Sequence, residues 1–377
     1  MTTFLVLCSY RLIPAFAMLI GMALATPKTA SAELTARQIV DRYITARGGL
    51  EKIRAIRTLI LRGPARPDGK PGRFMARARP YYFVVGEPTS PTRRFAEGFD
   101  GSAWEFYADP GVVLRTTDAP ATAAHHTAYF DDPVVNSLEP GWTVELVGAE
   151  TIGDRQTYWL RITFPDGFQS DRFVDKETFM VIADRKVAPI HAFGAAVPTE
   201  TRISDYRDLE GALFPMRFDE FEIATGDYLE DMSGGWETVD VNVTLPLDYF
   251  SPPAEPQTPI VRLLNAIFAA RFFPQEALGW YCDFRSNPAT STIDTEAGVE
   301  AVGYHCLKNG AVETGVLLLE ATVRDYPGSA AAHFGLGRAY RVMEREQEAV
   351  AHFREALALD PTYKKAADAL TQAAGKK

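Results

Sequence analysis

The sequence predicts an α+β protein: one large, curved antiparallel β-sheet led by a helix, followed by an all-α domain of helical repeats. Three observations predict it. Residues 142–186 alternate apolar and polar side chains, with turn chemistry after each run. Strand-length segments of the same kind recur from residue 58 to about residue 242 with almost no helical periodicity. Beyond a cluster of prolines the period becomes helical, and a 34-residue spacing separates Gly303 from Gly337 and Pro327 from Pro361.

Taken in order, Thr35 and Gln38 form a capping box for a helix whose apolar face carries Ile39, Tyr43 and Ile44. Gly48-Gly49 stops that helix, and residues 50–56 make a short amphipathic turn into a first strand at 58–62. Further strands are expected at 73–78, 81–85, 102–107, 202–206, 213–223 and 236–243. In the central set, Trp142, Val144 and Leu146 share one face, as do Tyr158, Leu160, Ile162 and Phe164. Pro165-Asp166-Gly167 is the sharpest turn, because proline presets φ and glycine takes the left-handed position. Residues 119–136 break the strand pattern and are expected to form a helix or lid. Five prolines between 246 and 259 mark a linker.

From residue 260 the spacing of Ile260, Val261, Leu263, Leu264, Ile267 and Phe268 is helical, and 277–284 suits a second helix. Counted from Ala330, the residues Leu336, Gly337, Tyr340, Ala349, Phe353, Ala356 and Pro361 fall on tetratricopeptide signature positions, with His333 where a tryptophan is usual. The preceding repeat, 296–329, keeps Gly303, Leu319 and Pro327 but is otherwise degenerate. Residues 362–374 suit a capping helix. By helical spacing, Ala331, Phe334, Arg338 and Arg341 face a concave groove for a protein partner.

Residues 1–32 have the layout of a secretory signal peptide: Arg11, an apolar run from 12 to 25, and Ala30-Ser31-Ala32 at the cleavage point. The run is short for a membrane span. Cys8 follows Leu7 rather than a small residue, so a lipid-modified N-terminus is not expected. Cleavage removes Arg11 and Lys28 from 39 basic residues, so the remaining basic residues are outnumbered by 49 acidic ones and the mature chain is more acidic than the full one. Such a chain has no electrostatic reason to bind nucleic acid. Cys282 and Cys306 remain in a compartment that permits a disulfide. Both lie in helical pattern, and a bridge and two separate buried thiols are both open readings.

Chemistry has little local signature. There is no G-x-S-x-G elbow, no S-x-x-K and no glycine-rich phosphate cradle. Among His125, His126, His191, His305, His333 and His352 no pair has metal-ligand spacing, and neither do the cysteines. His125-His126 beside Asp131-Asp132 reads as a solvated loop, since an extended segment points the two rings apart. No metal and no cofactor are expected. An enzyme would need a site assembled from Asp and His residues far apart in sequence.

Several stretches, in their order, resemble the periplasmic LolA/LolB-like lipoprotein-carrier superfamily: VDRYITARGGLEKIRAIRTLILRG, FDGSAWE, VELVGAETIGDRQTYWLRITFPDG with FVDKETF, SDYRDLEGALFP, and VNVTLPLDYFSPP. The resemblance covers residues 33–253. It implies an unclosed antiparallel barrel covered by helices, whose interior holds acyl chains or another apolar ligand. Trp104, Phe106, Tyr158, Leu160, Ile162, Phe164 and Met180 then line the ligand site, plain core being the other reading. The organisation so expected is a signal peptide (1–32), a β half-barrel (33–245), a linker (246–259) and a helical domain (260–377). The function expected is a non-enzymatic periplasmic carrier of a lipid-like ligand, with at most transient membrane contact and a repeat module for a protein partner. The alternative is an interaction scaffold in which the repeats recognise and the β part is filled.

Overall fold

The computed structural model describes residues 34–64, 72–80, 82–86, 95–115, 118–188, 197–229 and 233–375. The expected leader and His191 lie outside the described residues. Helix α1 (Ala36–Ala46) starts at the Thr35 capping box, with both reciprocal bonds made to Gln38, and buries Ile39, Val40, Tyr43 and Ile44. It ends where Gly48 and Gly49 donate back to Thr45 and Ile44. Gly48 has a φ of 106°, and a Cβ there would stand 2.1 Å from the Gly211 carbonyl oxygen. Gly48→Ala is therefore expected to cost at least about 1–3 kcal/mol. Chemical denaturation reads this directly, and an unchanged midpoint would contradict it.

Two seven-stranded antiparallel sheets follow. After α2 (Leu50–Ala55), the first is built from β1 (Thr58–Arg62), β2 (Phe74–Ala78), β3 (Tyr82–Val85), β4 (Phe95–Phe99), β5 (Ala103–Tyr107) and β6 (Val112–Arg115). The second contains β7 (Thr143–Ile152), β8 (Arg155–Thr163), β9 (Gln169–Asp175), β10 (Val181–Ala188), β11 (Val197–Leu209) and β12 (Ala212–Glu222). The next stretch joins them. Its first part, β13 (Gly234–Gly235), pairs with β12, and its second, β14 (Thr238–Val241), pairs with β1. Between them the Trp236 amide donates to Met216 and the Glu237 amide to Arg62, each at 2.7 Å. The strands thus run in series from β7 through β12 to β1 and out to β6, with β7 and β6 as unjoined edges. This is the unclosed, curved antiparallel surface the sequence predicts. Strands β4 and β6 were not among the expected ones.

Helices α3 (Asp118–Ala128) and α4 (Pro133–Asn136) connect the sheets. The chain then enters α5 (Pro259–Ala269), α6 (Pro274–Ser286), α7 (Glu296–Lys308), α8 (Val312–Asp325), α9 (Ala330–Val342), α10 (Glu346–Leu359) and α11 (Lys364–Gly375). The proline-rich run before α5 does not hang free. Phe250 is fully buried, its carbonyl accepts the Trp104 indole N–H at 2.9 Å, and Glu255 accepts the Val113 amide of edge strand β6 at 2.7 Å. One apolar cluster continues from Val112 and Leu114 of β6 into Leu263, Leu264, Ile267, Tyr281, Val299, Val302 and Leu318. The helices so cover an edge that would otherwise present open amides. At the same junction His305 of α7, fully buried, meets Glu105 of β5 at 3.1 Å, and the Tyr107 hydroxyl donates to the same carboxylate oxygen at 2.8 Å. Burial and that carboxylate together push the Tyr107 phenol well above its ordinary value.

No helix among the described residues is long and apolar enough to cross a membrane.

Candidate functional site

The helices α1 to α4 sit on one face of the β surface, and the pairing register shows which side chains look at them. In the first sheet Leu59, Arg77, Phe83, Phe99 and Ala103 are opposite one another across β1 to β5. Phe83, Phe99 and Ala103 pack against Ala121, Ala124 and Ala128 of α3. In the second sheet Leu160 and Ile162 are fully buried on the same strand face as Phe164, whose ring meets Trp142 at 4.2 Å, Tyr129 at 6.0 Å and His126 at 4.8 Å.

Residues 119–136 thus hold two helices, α3 and α4, joined by 129–132, as one of the two expected readings had it, but His125 and His126 are not in a solvated loop. The α3 sequence is rich in alanine, which favours a helix, and its proline falls in the first turn, where a missing N–H costs nothing. His126 Nε2 meets Asp166 Oδ2 at 2.7 Å in the β8–β9 turn, with its ring 4.3 Å from Phe168. His125 stacks on Phe99 at 5.4 Å, and burial lowers its basicity. Burial works against Asp166 ionising, yet the His126 contact and the backbone hydrogen bonds at Phe168 and Asp166 together outweigh it and hold the carboxyl below its ordinary value.

Several bonds hold the C-terminal end of α3. Beyond its C-terminus Arg77 donates to the carbonyls of Thr127 and Tyr129, the Phe130 amide donates to Pro80, and Arg79 holds Asp131 through both guanidinium nitrogens. Toward its N-terminus lies a cleft of about 480 Å³ lined by Phe99, Ser102, Ala103, Ala121, Thr122 and His125. The inward side of α3 offers alanine methyls, each worth about 0.8 kcal/mol when buried.

The expected ligand-lining residues do not form one stripe. Trp104 and Phe106 point to the opposite face of the first sheet, where the Trp104 ring lies across Gly98 and packs with Val84, Ala96 and Phe250. They are corrected to core, because β5 turns Ala103 and Glu105 toward the helices instead. Leu160, Ile162 and Phe164 do face the helices. Tyr158 is half-buried with its ring 6.0 Å from Phe179, and Met180 sits half-buried at the β9–β10 turn.

Sequence reasoning missed a polar row on the helix-covered face of the second sheet. Arg172 of β9 is opposite Leu160 and Asp184, Asp184 is opposite Thr201, and Thr201 is opposite Glu220. All four polar residues are more than nine-tenths buried. A register shift between Val181 and Ala183 reverses the inside–outside parity of β10 and turns Asp184 inward. Burial opposes ionisation of Asp184, but Lys186 and Arg172 outweigh it and hold its carboxyl below the ordinary value.

In the helical part, Gly303 and Gly337 fill equivalent places: a Cβ would meet Leu319 at 3.1 Å in one and Phe353 at 2.7 Å in the other. The proposed groove residues are mostly spent internally. Phe334 is 7% exposed and packs between Phe353 and Tyr363, so it is core rather than groove. Arg341 donates to the Ala369 carbonyl of α11 at 3.0 Å and pairs with Glu346, which fixes the capping helix. Arg338 stacks over Phe334 and Tyr304, and Ala331 is half-buried. Cys282 is exposed and Cys306 buried, both free, so the bridge is not made; burial raises the Cys306 thiol to about 12. Among the described residues no group of three or more metal-ligating side chains assembles.

Glu300, beside Tyr304 and Arg338 in the same region, is lifted to about 7, mainly by burial. Folding therefore favours its protonated form. That contribution is fully present below the ordinary carboxylate value and fades as pH rises through about 7. Glu300→Gln is expected to melt higher than wild type at pH 8 and with it at pH 4; equal melting at both pH values would contradict this.

A family model for the tetratricopeptide repeat matches residues 330–363. This chain carries that repeat. Among solved structures, a LolA superfamily protein from Nitrosomonas europaea is 16% identical, with a TM-score of 0.37, over 58% of this chain and 98% of that one. A DUF1329 family protein from Desulfovibrio piger is 13% identical, with a TM-score of 0.35, over 58% of this chain and 98% of its own. A domain from Vibrio parahaemolyticus described as an outer membrane lipoprotein-sorting protein is 10% identical, with a TM-score of 0.34, over 52% and 87%. No curated protein matches.

Proposed function

We propose that the β part is a non-enzymatic carrier that takes the apolar chain of a lipid-like ligand beneath α3, in the periplasm, after loss of residues 1–32. The observation that supports it most is the construction of α3: tied at its C-terminal end by Arg77 and Arg79, faced with alanine, and bordered along Ala121, Thr122 and His125 by the cleft at Phe99 and Ala103. The cleft lies within the usual size range of small-ligand pockets, about 300–1,000 Å³. Tilting α3 about its fixed end exposes Phe83 and Phe99, and each methylene the ligand buries there contributes about 0.8 kcal/mol. The repeats are read as the module that meets a protein partner.

A fluorescent fatty acid should gain emission on mixing with the purified protein and be displaced by unlabelled lipid. No uptake at micromolar protein would end this reading. A second reading has one observation in its favour: Leu160 and Ile162 are fully buried as the molecule stands. On it the β part is filled and the repeats alone recognise; charge reversal at Arg338 then abolishes capture of the partner while lipid has no effect.

A further inference from the structure

We infer that the polar row of the second sheet is a head-group subsite for an uncharged, hydroxyl-bearing amphiphile, an inference that rests on the carrier reading above. The inner face of this sheet is divided. On β8 it presents Leu160 and Ile162; from β9 to β12 it presents Arg172, Asp184, Thr201 and Glu220, with Lys186 and Thr199 beside them. An apolar chain and a polar head fit that division.

Hydrogen bonding in the row is incomplete in a particular way. The Thr201 hydroxyl has one proton and stands 2.7 Å from Glu220 Oε2 and 3.3 Å from Asp184 Oδ1, so it serves Glu220. Asp184 is left to Lys186 at 3.5 Å and Arg172 at 3.8 Å. Among the described residues the second carboxylate oxygen of Glu220, the hydroxyl of Thr199 and, farther along the row, Nε of Arg172 have no hydrogen-bond partner, and all three residues are more than nine-tenths buried. Glu220 and Thr199 are near neighbours: Thr199 pairs with Glu222, two positions along β12 from Glu220. Buried polar groups are almost always satisfied, so a pair of orphans on adjacent strands marks a place where another molecule supplies the bond.

Charge decides the chemistry of that molecule. Arg172 is shared between Asp184 and Asp132 of the helix side, each at 3.8 Å, and Arg47 of α1 also faces Asp132, so Arg47, Arg172 and Lys186 together balance Asp132, Asp184 and Glu220. An ammonium would add an uncompensated buried charge, and an anionic head would face Glu220. A neutral hydroxyl fits: its proton goes to Glu220 Oε1, and its oxygen accepts from Thr199.

The test uses two probes with one acyl chain, a monoacylglycerol and the corresponding fatty-acid methyl ester, competed on the full mature chain by native mass spectrometry. Wild type should prefer the monoacylglycerol by about tenfold. Thr199→Val, which keeps shape and β-branching, and Glu220→Gln should each bring the ratio toward one while methyl-ester binding is unchanged; a merely structural role would lower both. Equal binding of the two probes by wild type, or a preference kept in both variants, overturns the subsite and leaves the carrier standing. Binding of neither probe overturns both.

Discussion

Replacing His305 by leucine lowers stability by about 1–3 kcal/mol, the range for leaving a buried polar group without its hydrogen-bond partner. The change removes the imidazole from a carboxylate that is 4% exposed, at the place where α7 docks on β5. The double variant His305→Leu, Glu105→Leu should recover most of the loss, because two apolar side chains in that site need no desolvated charge. Denaturant unfolding of the two single variants and the double gives the coupling. If the losses simply add, the pair is not what joins the helices to the sheet.

The second large effect concerns the cleft. Ala121→Trp puts an indole where the N-terminal half of α3 borders Phe99 and Ala103, and should weaken lipid uptake by about tenfold to a hundredfold, at a cost in stability of about 1–3 kcal/mol. Uptake measured with the fluorescent fatty acid should fall while circular dichroism stays the same. Undiminished uptake would place the ligand elsewhere.

Why some of this was legible in the sequence, and some not, follows from the amplitude of each signal. The capping box at Thr35 and the glycine stop at Gly48-Gly49 are local chemistry, and the helix ends where they put it. The 34-residue spacing survives even though the first repeat is degenerate, because Gly303 and Gly337 are each required by a close helix approach. Helix α3 was legible only as a helix or lid, because an alanine face carries almost no hydrophobic contrast. The short strands β4 and β6 have two or three apolar residues each, too few to set a period.

The site fared worse for a physical reason. Alternation says that neighbours on a strand share or oppose a face; it does not say which face of one strand continues that of another. Trp104 and Leu160 therefore looked equivalent, although Trp104 turns toward Phe250 and Leu160 toward the helices. The polar row was hidden by the bulge in β10, which carries Asp184 to the inside only because the register slips before Ala183. Arg341 looked like groove because spacing cannot foresee that α11 folds back and takes its guanidinium.

The most direct measurement is native mass spectrometry of the chain from Glu33 onward, purified from a periplasmic extract without detergent, followed by organic extraction of whatever adds mass. The account predicts one lipid-like molecule per chain, released on extraction and regained on adding lipid. A bare chain that takes up no added lipid would contradict it, and the helices on the sheet would then be a filled core.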